Sequence, residues 1–181
     1  MTISTLSILL GLLYGLPQLY ALVQPEEFKA VLRKFSRSMV LGYLTSGIAT
    51  VWFLYNLQQE NIADFAVYKK YMFAGFAGLG LGTCIYLRDF LAVRGFAVML
   101  LLAAKLVCDT ARWADTPLRL FLITWAYVWV IVGMWWTISP WRCRDWLDWN
   151  VSDDARFKIL SGVRLGFSIF LVVLGLTVFR G

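Results

Sequence analysis

Histidine is absent from the 181 residues, and cysteine, proline and charged residues are scarce. Without histidine, the chain lacks the side chain that most often serves as a neutral-pH acid or base, and also the commonest metal ligand. Cys84, Cys108 and Cys143 lie far apart, so we expect buried thiols rather than a metal site or a disulfide framework. These absences predict no catalytic residues, no cofactor and no metal site, and a protein that is not an enzyme.

Long apolar runs dominate what remains. The chain is 60% hydrophobic and 15% charged, with a mean hydropathy of +0.70, whereas soluble domains carry about 45–50% apolar and about 25% charged residues. The runs reach the roughly 17–25 residues that a helix needs to cross a bilayer. We therefore expect residues 1–181 to form a single integral membrane domain in a lipid bilayer. The net charge of +6 comes from short basic clusters beside the runs, which is typical of membrane proteins and not of nucleic-acid binding.

The apolar runs predict an all-α fold, a polytopic membrane helix bundle of about six spans arranged as three hairpins. Each hairpin pairs two consecutive spans. The predicted spans are Ile3–Val23, Ser38–Leu57, Tyr71–Leu87, a fourth from the turn at Arg88–Gly95 to about Ala111, Leu120–Ile138, and a sixth from Arg156 or Phe157 to Phe179.

Two shorter segments, each opened by a proline, predict interfacial amphipathic helices. After Pro25, two acidic residues suit a helix N-terminus, and apolar side chains recur with helical spacing over Phe28–Phe35. After Pro140, the segment WRCRDWLDWN mixes tryptophans with charges, as is typical of the head-group region. Ser152 is the predicted N-cap of the last span. We expect both short helices to lie on the membrane surface.

Aligning Pro25 with Pro140 without gaps superimposes several residue types. The alignment suggests an internal repeat of 1–57 and 118–181 around a central hairpin at 68–111, because repeats are common in membrane folds. Few positions match, so a true duplication and a chance likeness both remain open.

Basic residues predict the orientation of the chain. Ten lysines and arginines lie in the connections predicted to be inside, and five lie in those predicted to be outside. Cytoplasmic connections retain lysine and arginine. We therefore expect the amino and carboxyl termini on the outer side of the membrane.

The last third of the chain resembles the YjeT-like family of very small bacterial inner-membrane proteins. In that family an apolar span ends at a proline, followed by tryptophan and basic residues, a short acidic link, and an arginine-then-glycine entry into a second span. The matching positions are Pro140, Trp141, Arg142, Arg144, Asp154, Arg156 and Gly162. The chain departs from the pattern where its tryptophan stands closer to the proline, and where Ser152-Asp153 replaces the usual proline before the aspartate. The resemblance implies a multi-pass protein of the bacterial inner (cytoplasmic) membrane, and no particular reaction.

Three charged residues fall inside predicted spans, where a charge is costly. Arg164 can mark a pathway or a partner, snorkel to the head groups, or pair within the bundle. Lys105 and Asp109 stand four residues apart on one helix face, so they can form a structural pair or part of a proton relay.

The bend between the last two spans is rich in the residue types that dominate protein interfaces. The pattern predicts either a docking surface or an aromatic belt at the head groups. The residues concerned are Trp135, Trp136, Trp141, Arg142, Arg144, Trp146 and Trp149.

Glycines at four-residue spacing predict close contacts between helices. We expect these contacts inside the bundle, with an oligomer contact as the alternative for the second pair. The pairs are Gly11 with Gly15, Gly78 with Gly82, and Gly162 with Gly166.

Taken together, these features favour a non-enzymatic accessory, assembly or scaffold subunit of a membrane complex, bound to a membrane-protein partner or to a second copy of itself. The alternative is a small transporter or channel that uses Arg164 with Lys105 and Asp109. A lipid-modifying enzyme has the weakest support, although four aspartates could hold a metal ion near a phosphate group. These aspartates are Asp145, Asp148, Asp153 and Asp154.

Overall fold

A computed structural model describes residues 2–60, 67–114 and 116–180. Within these ranges the chain forms eight α-helices and no β-strand, and a short 3-10 helix (Val178–Arg180) follows the last α-helix. The α-helices are α1 (Ile3–Val23), α2 (Pro25–Phe35), α3 (Met39–Gln59), α4 (Lys69–Tyr86), α5 (Leu91–Ala111), α6 (Arg119–Ile138), α7 (Pro140–Val151) and α8 (Asp154–Leu176). The predicted all-α fold class is confirmed for these residues.

Five of the described helices are long and apolar enough to cross a membrane, namely α1, α3, α5, α6 and α8. They correspond to five of the six predicted spans, so the prediction of several membrane-spanning helices is confirmed to that extent. The remaining predicted span, Tyr71–Leu87, forms most of α4. That helix is 18 residues long and includes Lys69, Lys70 and four glycines, which lower its mean hydropathy.

Local chemistry sets the ends of several helices. Pro25 and Pro140 open α2 and α7, because proline has no N–H to leave unpaired in a first helical turn. Asp153 caps α8 by accepting a hydrogen bond of 3.0 Å from a backbone N–H two residues later. The prediction that Ser152 is this N-cap is wrong by one residue, since the Ser152 hydroxyl donates instead to the Trp149 carbonyl of α7 at 2.9 Å.

The described residues separate into two compact units. The first unit comprises the described parts of Met1–Arg33, Ala104–Val128 and Arg144–Gly181, and the second those of Lys34–Ala103 and Trp129–Cys143. Helices α2, α5, α6 and α7 contribute residues to both units. The single membrane domain and the internal repeat stay predictions.

In the first unit, α1 and α8 pack closely and run in opposite directions. The Ser4 hydroxyl donates to the Gly175 carbonyl at 2.7 Å, and the Ser168 hydroxyl donates to the Gly11 carbonyl at 2.8 Å. Residue numbers therefore rise along one helix as they fall along the other. Lipid provides no hydrophobic force between helices, so small residues and hydrogen bonds between helices stabilise this contact.

In the second unit, α3 and α5 run in the same direction. A Cβ atom on Gly42 would lie 3.0 Å from Leu91 Cβ, and one on Gly95 would lie 2.5 Å from the Ser46 backbone nitrogen. Residue numbers thus rise together along the two helices. A Cβ at Gly95 would overlap the backbone of the facing helix, and one at Gly42 would force Leu91 to shift, so both close approaches favour glycine.

The neighbours of α3 and α5 in this unit run the opposite way. Along α4, the Phe76 ring lies 4.8 Å from the Phe53 ring of α3, and Lys69 Nζ donates to the Gln58 carbonyl at 2.7 Å. Along α6, the Trp136 ring stacks on Phe96 of α5 with the ring centres 6.2 Å apart, and a Cβ on Gly133 would lie 3.0 Å from Leu101 of α5. Four consecutive helices, α3 to α6, therefore alternate in direction.

The glycine pairs identified in the sequence have different surroundings. Gly11 and Gly15 face Ser168 across the contact of α1 with α8, so close that an added Cβ would overlap its neighbours. At the other positions, an added Cβ would meet no atom of another described helix within 4 Å; these are Gly78, Gly82, Gly162 and Gly166. Within the described chain, this second group lines open surface.

Replacement of Gly11 by leucine is expected to lower the free energy of unfolding by about 1–3 kcal/mol, the usual cost of overpacking. The new Cβ would lie 2.6 Å from Val172 Cγ2 and 2.9 Å from the Ser168 carbonyl oxygen. Gly162→Leu is the matched control, expected within about 0.5 kcal/mol of wild type. Reversible unfolding in detergent, followed by tryptophan fluorescence, measures both variants. Equal losses would contradict the close contact described for Gly11.

Candidate functional site

The candidate site is the end of the first unit where α1 passes into α2 and α7 passes into α8. We call this region the elbow and define it as Pro25–Arg33 together with Arg144–Asp154. It gathers the first-unit parts of both proline-opened helices with the start of the last one. Polar and aromatic side chains from these segments meet there.

A small apolar cluster forms the base of the elbow. Ala21, Val151 and Phe157 are buried, and Phe28 and Leu32 of α2 pack against them. The rings of the two phenylalanines lie 6.2 Å apart. Two of the regularly spaced apolar residues of α2, Phe28 and Leu32, therefore point toward this cluster and fix α2 against α8.

Lys29 connects the same two helices through charge. Its side chain is only 6% exposed, and its ammonium group donates to Glu26 at 2.8 Å and to Asp154 at the start of α8. The ammonium group also lies 5.4 Å from the centre of the Phe157 ring. Hydrogen bonds to Asp154 and then Glu26 raise the pKa of Lys29 above its usual value, because both carboxylates favour the charged form. The buried cation thus has two anionic partners from its own chain.

Arg164 of α8 binds the part of α7 that lies in the first unit. Its guanidinium donates to Asn150 Oδ1 at 2.8 Å, and its Cζ atom lies 5.1 Å from the centre of the Trp146 ring. Asn150 is 2% exposed and donates its own amide N–H to the Trp146 carbonyl at 2.7 Å. The structure therefore places Arg164 in a structural contact with side chains of the elbow.

The contact with Asn150 offsets much of the cost of placing Arg164 in a membrane helix. Insertion scales put that cost at about 2.5–3.5 kcal/mol for a charge at the centre of a span. A hydrogen bond to a charged group contributes about 1.5–3 kcal/mol, and the Trp146 ring adds a cation–π attraction. No charged ligand is needed to account for Arg164.

Lys105 and Asp109 form an ion pair on one face of α5. The Nζ and Oδ2 atoms are 2.6 Å apart, with the two side chains 40% and 58% exposed. Both residues belong to the first unit. The pair reduces the cost of two charges in an apolar helix, since each charge has an opposite neighbour.

The tryptophans of the first-unit part of α7 hold arginines on their faces and remain exposed. Trp146 lies beneath Arg164, and Trp149 beneath Arg156, whose Cζ atom is 4.6 Å from the ring centre. Trp149 is still 53% exposed. The basic neighbour Arg144 forms an ion pair with Asp145 at 2.9 Å. We call Trp146 and Trp149 the tryptophan face of the elbow.

The other residues of the predicted bend belong to the second unit. Trp135, Trp141 and Arg142 are exposed, whereas Trp136 is partly covered by its stacking on Phe96 described above. Cys143 is buried, and burial raises its pKa to about 12. Its thiol therefore stays protonated at neutral pH.

Three of the four aspartates considered as metal ligands have structural partners. Asp145 pairs with Arg144, Asp153 caps α8, and Asp154 binds Lys29. Asp148 is exposed. Among the described residues, no group of three or more histidine, cysteine, aspartate or glutamate side chains is placed to hold a metal ion.

Sequence reasoning missed the partners that define the elbow. Lys29 and Asp154 are 125 residues apart in sequence, and nothing in either local pattern connects them. Asn150 was overlooked because a single asparagine among tryptophans carries no periodic signal. The sequence did contain one indication for Arg164. A charge in an apolar run needs a partner, and the polar residues closest to it in sequence are those of the preceding helix, α7.

Replacing Asn150 by alanine is expected to lower the free energy of unfolding by about 1–3 kcal/mol, because Arg164 would lose its hydrogen-bond partner in a buried site. Asp148→Ala is the matched control, a polar residue on the exposed side of the same helix. In the double variant with Arg164→Met, the Asn150 change is expected to cost less, which a double-mutant cycle measures in detergent. Additive losses would contradict the contact.

The chain was compared with family models, with curated proteins and with solved structures. No family model, no curated protein and no solved structure matches it. The function of this chain is therefore inferred from its own residues and their geometry.

Proposed function

We propose that this chain is a non-enzymatic integral membrane protein that acts as an accessory or assembly subunit of a complex in a bacterial inner membrane. The observation that carries the proposal is the elbow. The buried cation Lys29 of the elbow and the neighbouring Arg164 bind partners of the same chain, while the tryptophan face of the elbow remains exposed. Exposed tryptophans backed by arginines are typical of the centres of protein interfaces.

The pairing of charges argues against the alternative, a small transporter or channel. A transport site needs charged groups that exchange partners with a substrate or ion during the cycle. Arg164 is held by Asn150 and Trp146, and Lys105 by Asp109. Either set would have to break these contacts before it could bind a substrate.

Helix directions support six membrane crossings rather than five. In the second unit, α3 and α5 run parallel, so the chain must return across the membrane between them, and α4 runs antiparallel to both. At about 1.5 Å per residue, 18 residues extend about 27 Å, close to the roughly 30 Å of the hydrocarbon core. In the first unit, α1 and α8 are antiparallel, as an even number of crossings requires. Six crossings would pair as three hairpins, with both termini on one side.

The distribution of basic residues supports an outer location for those termini. In this arrangement the elbow and the connection between α4 and α5 face the cytoplasm, where lysine and arginine are retained. Arg33, Arg37 and Arg88 then lie on the inner side. The likeness of the last third to YjeT-like proteins supports a bacterial inner membrane and stays a proposal.

Single cysteines test the crossing of α4. Arg37→Cys, Glu60→Cys and Arg88→Cys, each in a background without native cysteines, are placed at exposed positions between the spans. In right-side-out vesicles, a membrane-impermeant maleimide is expected to label position 60 and to label 37 and 88 only after permeabilisation. If positions 60 and 88 were labelled from the same side, α4 would not cross and the six-span arrangement would fail.

A photo-crosslinking amino acid at Trp149 tests the docking role in intact membranes. We expect a discrete protein adduct, because the exposed ring would face a partner. Leu13 is the matched control, a position that is 75% exposed in the middle of α1. An adduct at twice the 20.7 kDa mass of the chain would identify a second copy as the partner. Adducts to lipid alone at both positions would indicate an aromatic belt and contradict docking. Flux through proteoliposomes that Arg164→Leu abolishes would favour the transporter instead.

A further inference from the structure

Helices α3, α4 and α5 enclose a cleft within the second unit. Its volume is about 230 Å³, and its walls are largely apolar. The apolar walls come from Phe53 on α3, Phe76 and Leu79 on α4, and Val98 on α5. Sites for drug-sized ligands usually measure about 300–1,000 Å³, so this cleft suits a narrow, flexible, apolar group.

Arg94 is the one charged residue among the described residues that line the cleft. It is half-buried in the first turn of α5, and its Nε–H is buried without a hydrogen-bond partner. A buried donor without a partner is destabilising, more so when it carries a charge. Arg94 differs in this respect from Lys29 and Arg164, which bind groups of their own chain.

The hydroxyl groups of the cleft do not compete with Arg94 as donors. Thr50 donates to the Ser46 carbonyl and Thr83 to the Leu79 carbonyl, each at 2.8 Å along its own helix. The Ser46 hydroxyl donates to the Leu91 carbonyl of α5 at 3.4 Å. Their protons are therefore occupied. With one cation, no lining carboxylate and no other available side-chain donor, the cleft is complementary to an anionic acceptor.

The order of these groups along the helices gives the ligand its shape. Arg94 lies at the beginning of α5, and Val98 lies one turn further along, so the charge stands at the end of the cleft and apolar side chains follow. None of the residues of α4 is buried, so the helix forms a thin wall next to the surrounding membrane. A lipid can enter such a cleft sideways from the bilayer.

We propose that the cleft binds an anionic phospholipid, whose phosphate accepts hydrogen bonds from Arg94 and one of whose acyl chains lies along Phe53, Phe76 and Val98. Basic pockets between membrane helices near the cytoplasmic surface are known to bind anionic head groups. The ligand fits all three features at once, namely one negative charge, an apolar chain and access from the bilayer. This inference goes beyond the docking role of the elbow, which lies in the other unit.

Native mass spectrometry of the full-length chain in detergent tests the proposal with phosphatidylglycerol, phosphatidylcholine and inorganic phosphate as probes. Wild type is expected to bind phosphatidylglycerol in preference to phosphatidylcholine. Arg94→Gln is expected to weaken phosphatidylglycerol binding about tenfold, the usual effect of losing a charge-assisted hydrogen bond. Arg94→Lys, which keeps the charge, is expected to restore part of it. Val98→Phe, which fills the apolar part of the cleft, is expected to weaken binding as well.

Arg88→Gln is the matched control, because it removes the same charge from an exposed position six residues earlier. It should bind phosphatidylglycerol like wild type. Equal affinities for the two lipids in wild type, or equal losses in Arg88→Gln and Arg94→Gln, would overturn the proposal. Displacement of phosphatidylglycerol by millimolar inorganic phosphate would overturn it in favour of a free-anion site. The lipid preference of wild type decides the question even if an Arg94 variant fails to fold.

Discussion

The structure depends on one constraint, which is that a charge placed among apolar helices needs a partner. Apolar neighbours keep water from a buried charge, and without a partner such a charge would cost roughly several kcal/mol. Lys29 meets this constraint with two carboxylates, Arg164 with an amide and an aromatic ring, and Lys105 with Asp109. The first contact joins helices that are distant in sequence, and the second joins two consecutive helices. The rule that stabilises the charges therefore also holds α2 and α7 against α8.

Composition and periodicity were enough to predict the helical class, the approximate bounds of five membrane-capable helices and the two proline-opened helices. These are properties of a single segment, and each can be read locally. The contacts could not be read this way, because Lys29 with Asp154 and Arg164 with Asn150 depend on how separate helices meet. Glycine spacing had the same limit. The spacing at Gly11 and Gly15 coincides with a close helix contact, whereas the identical spacing at Gly162 and Gly166 faces open surface in the described chain.

Helix α4 shows how packing and hydropathy give different information about one segment. Hydropathy is averaged over the residues of a helix. Two lysines at one end of α4 and four glycines along it therefore keep its mean hydropathy below that of the five membrane-capable helices. The contacts between helices show the direction in which each helix runs, and they show that α4 is antiparallel to both α3 and α5. Glycines lower the apolar content of a helix, and they also allow close approach, as Gly80 does where its backbone meets Thr50. One of the residues that lower the hydropathy of α4, Gly80, thus allows the helix to pack closely against α3.

In the second unit, the same constraint applies to Arg94, and the described part of the chain does not meet it. Its buried Nε–H has no partner among the described residues, and the cleft beside it has apolar walls that suit a hydrocarbon chain. A membrane supplies molecules that combine a phosphate with such a chain, at high local concentration. An anionic lipid would therefore accept a hydrogen bond from Arg94, as Asn150 does from Arg164. It would also fill the space between α4 and its neighbours, which would make the lipid a structural component of the second unit.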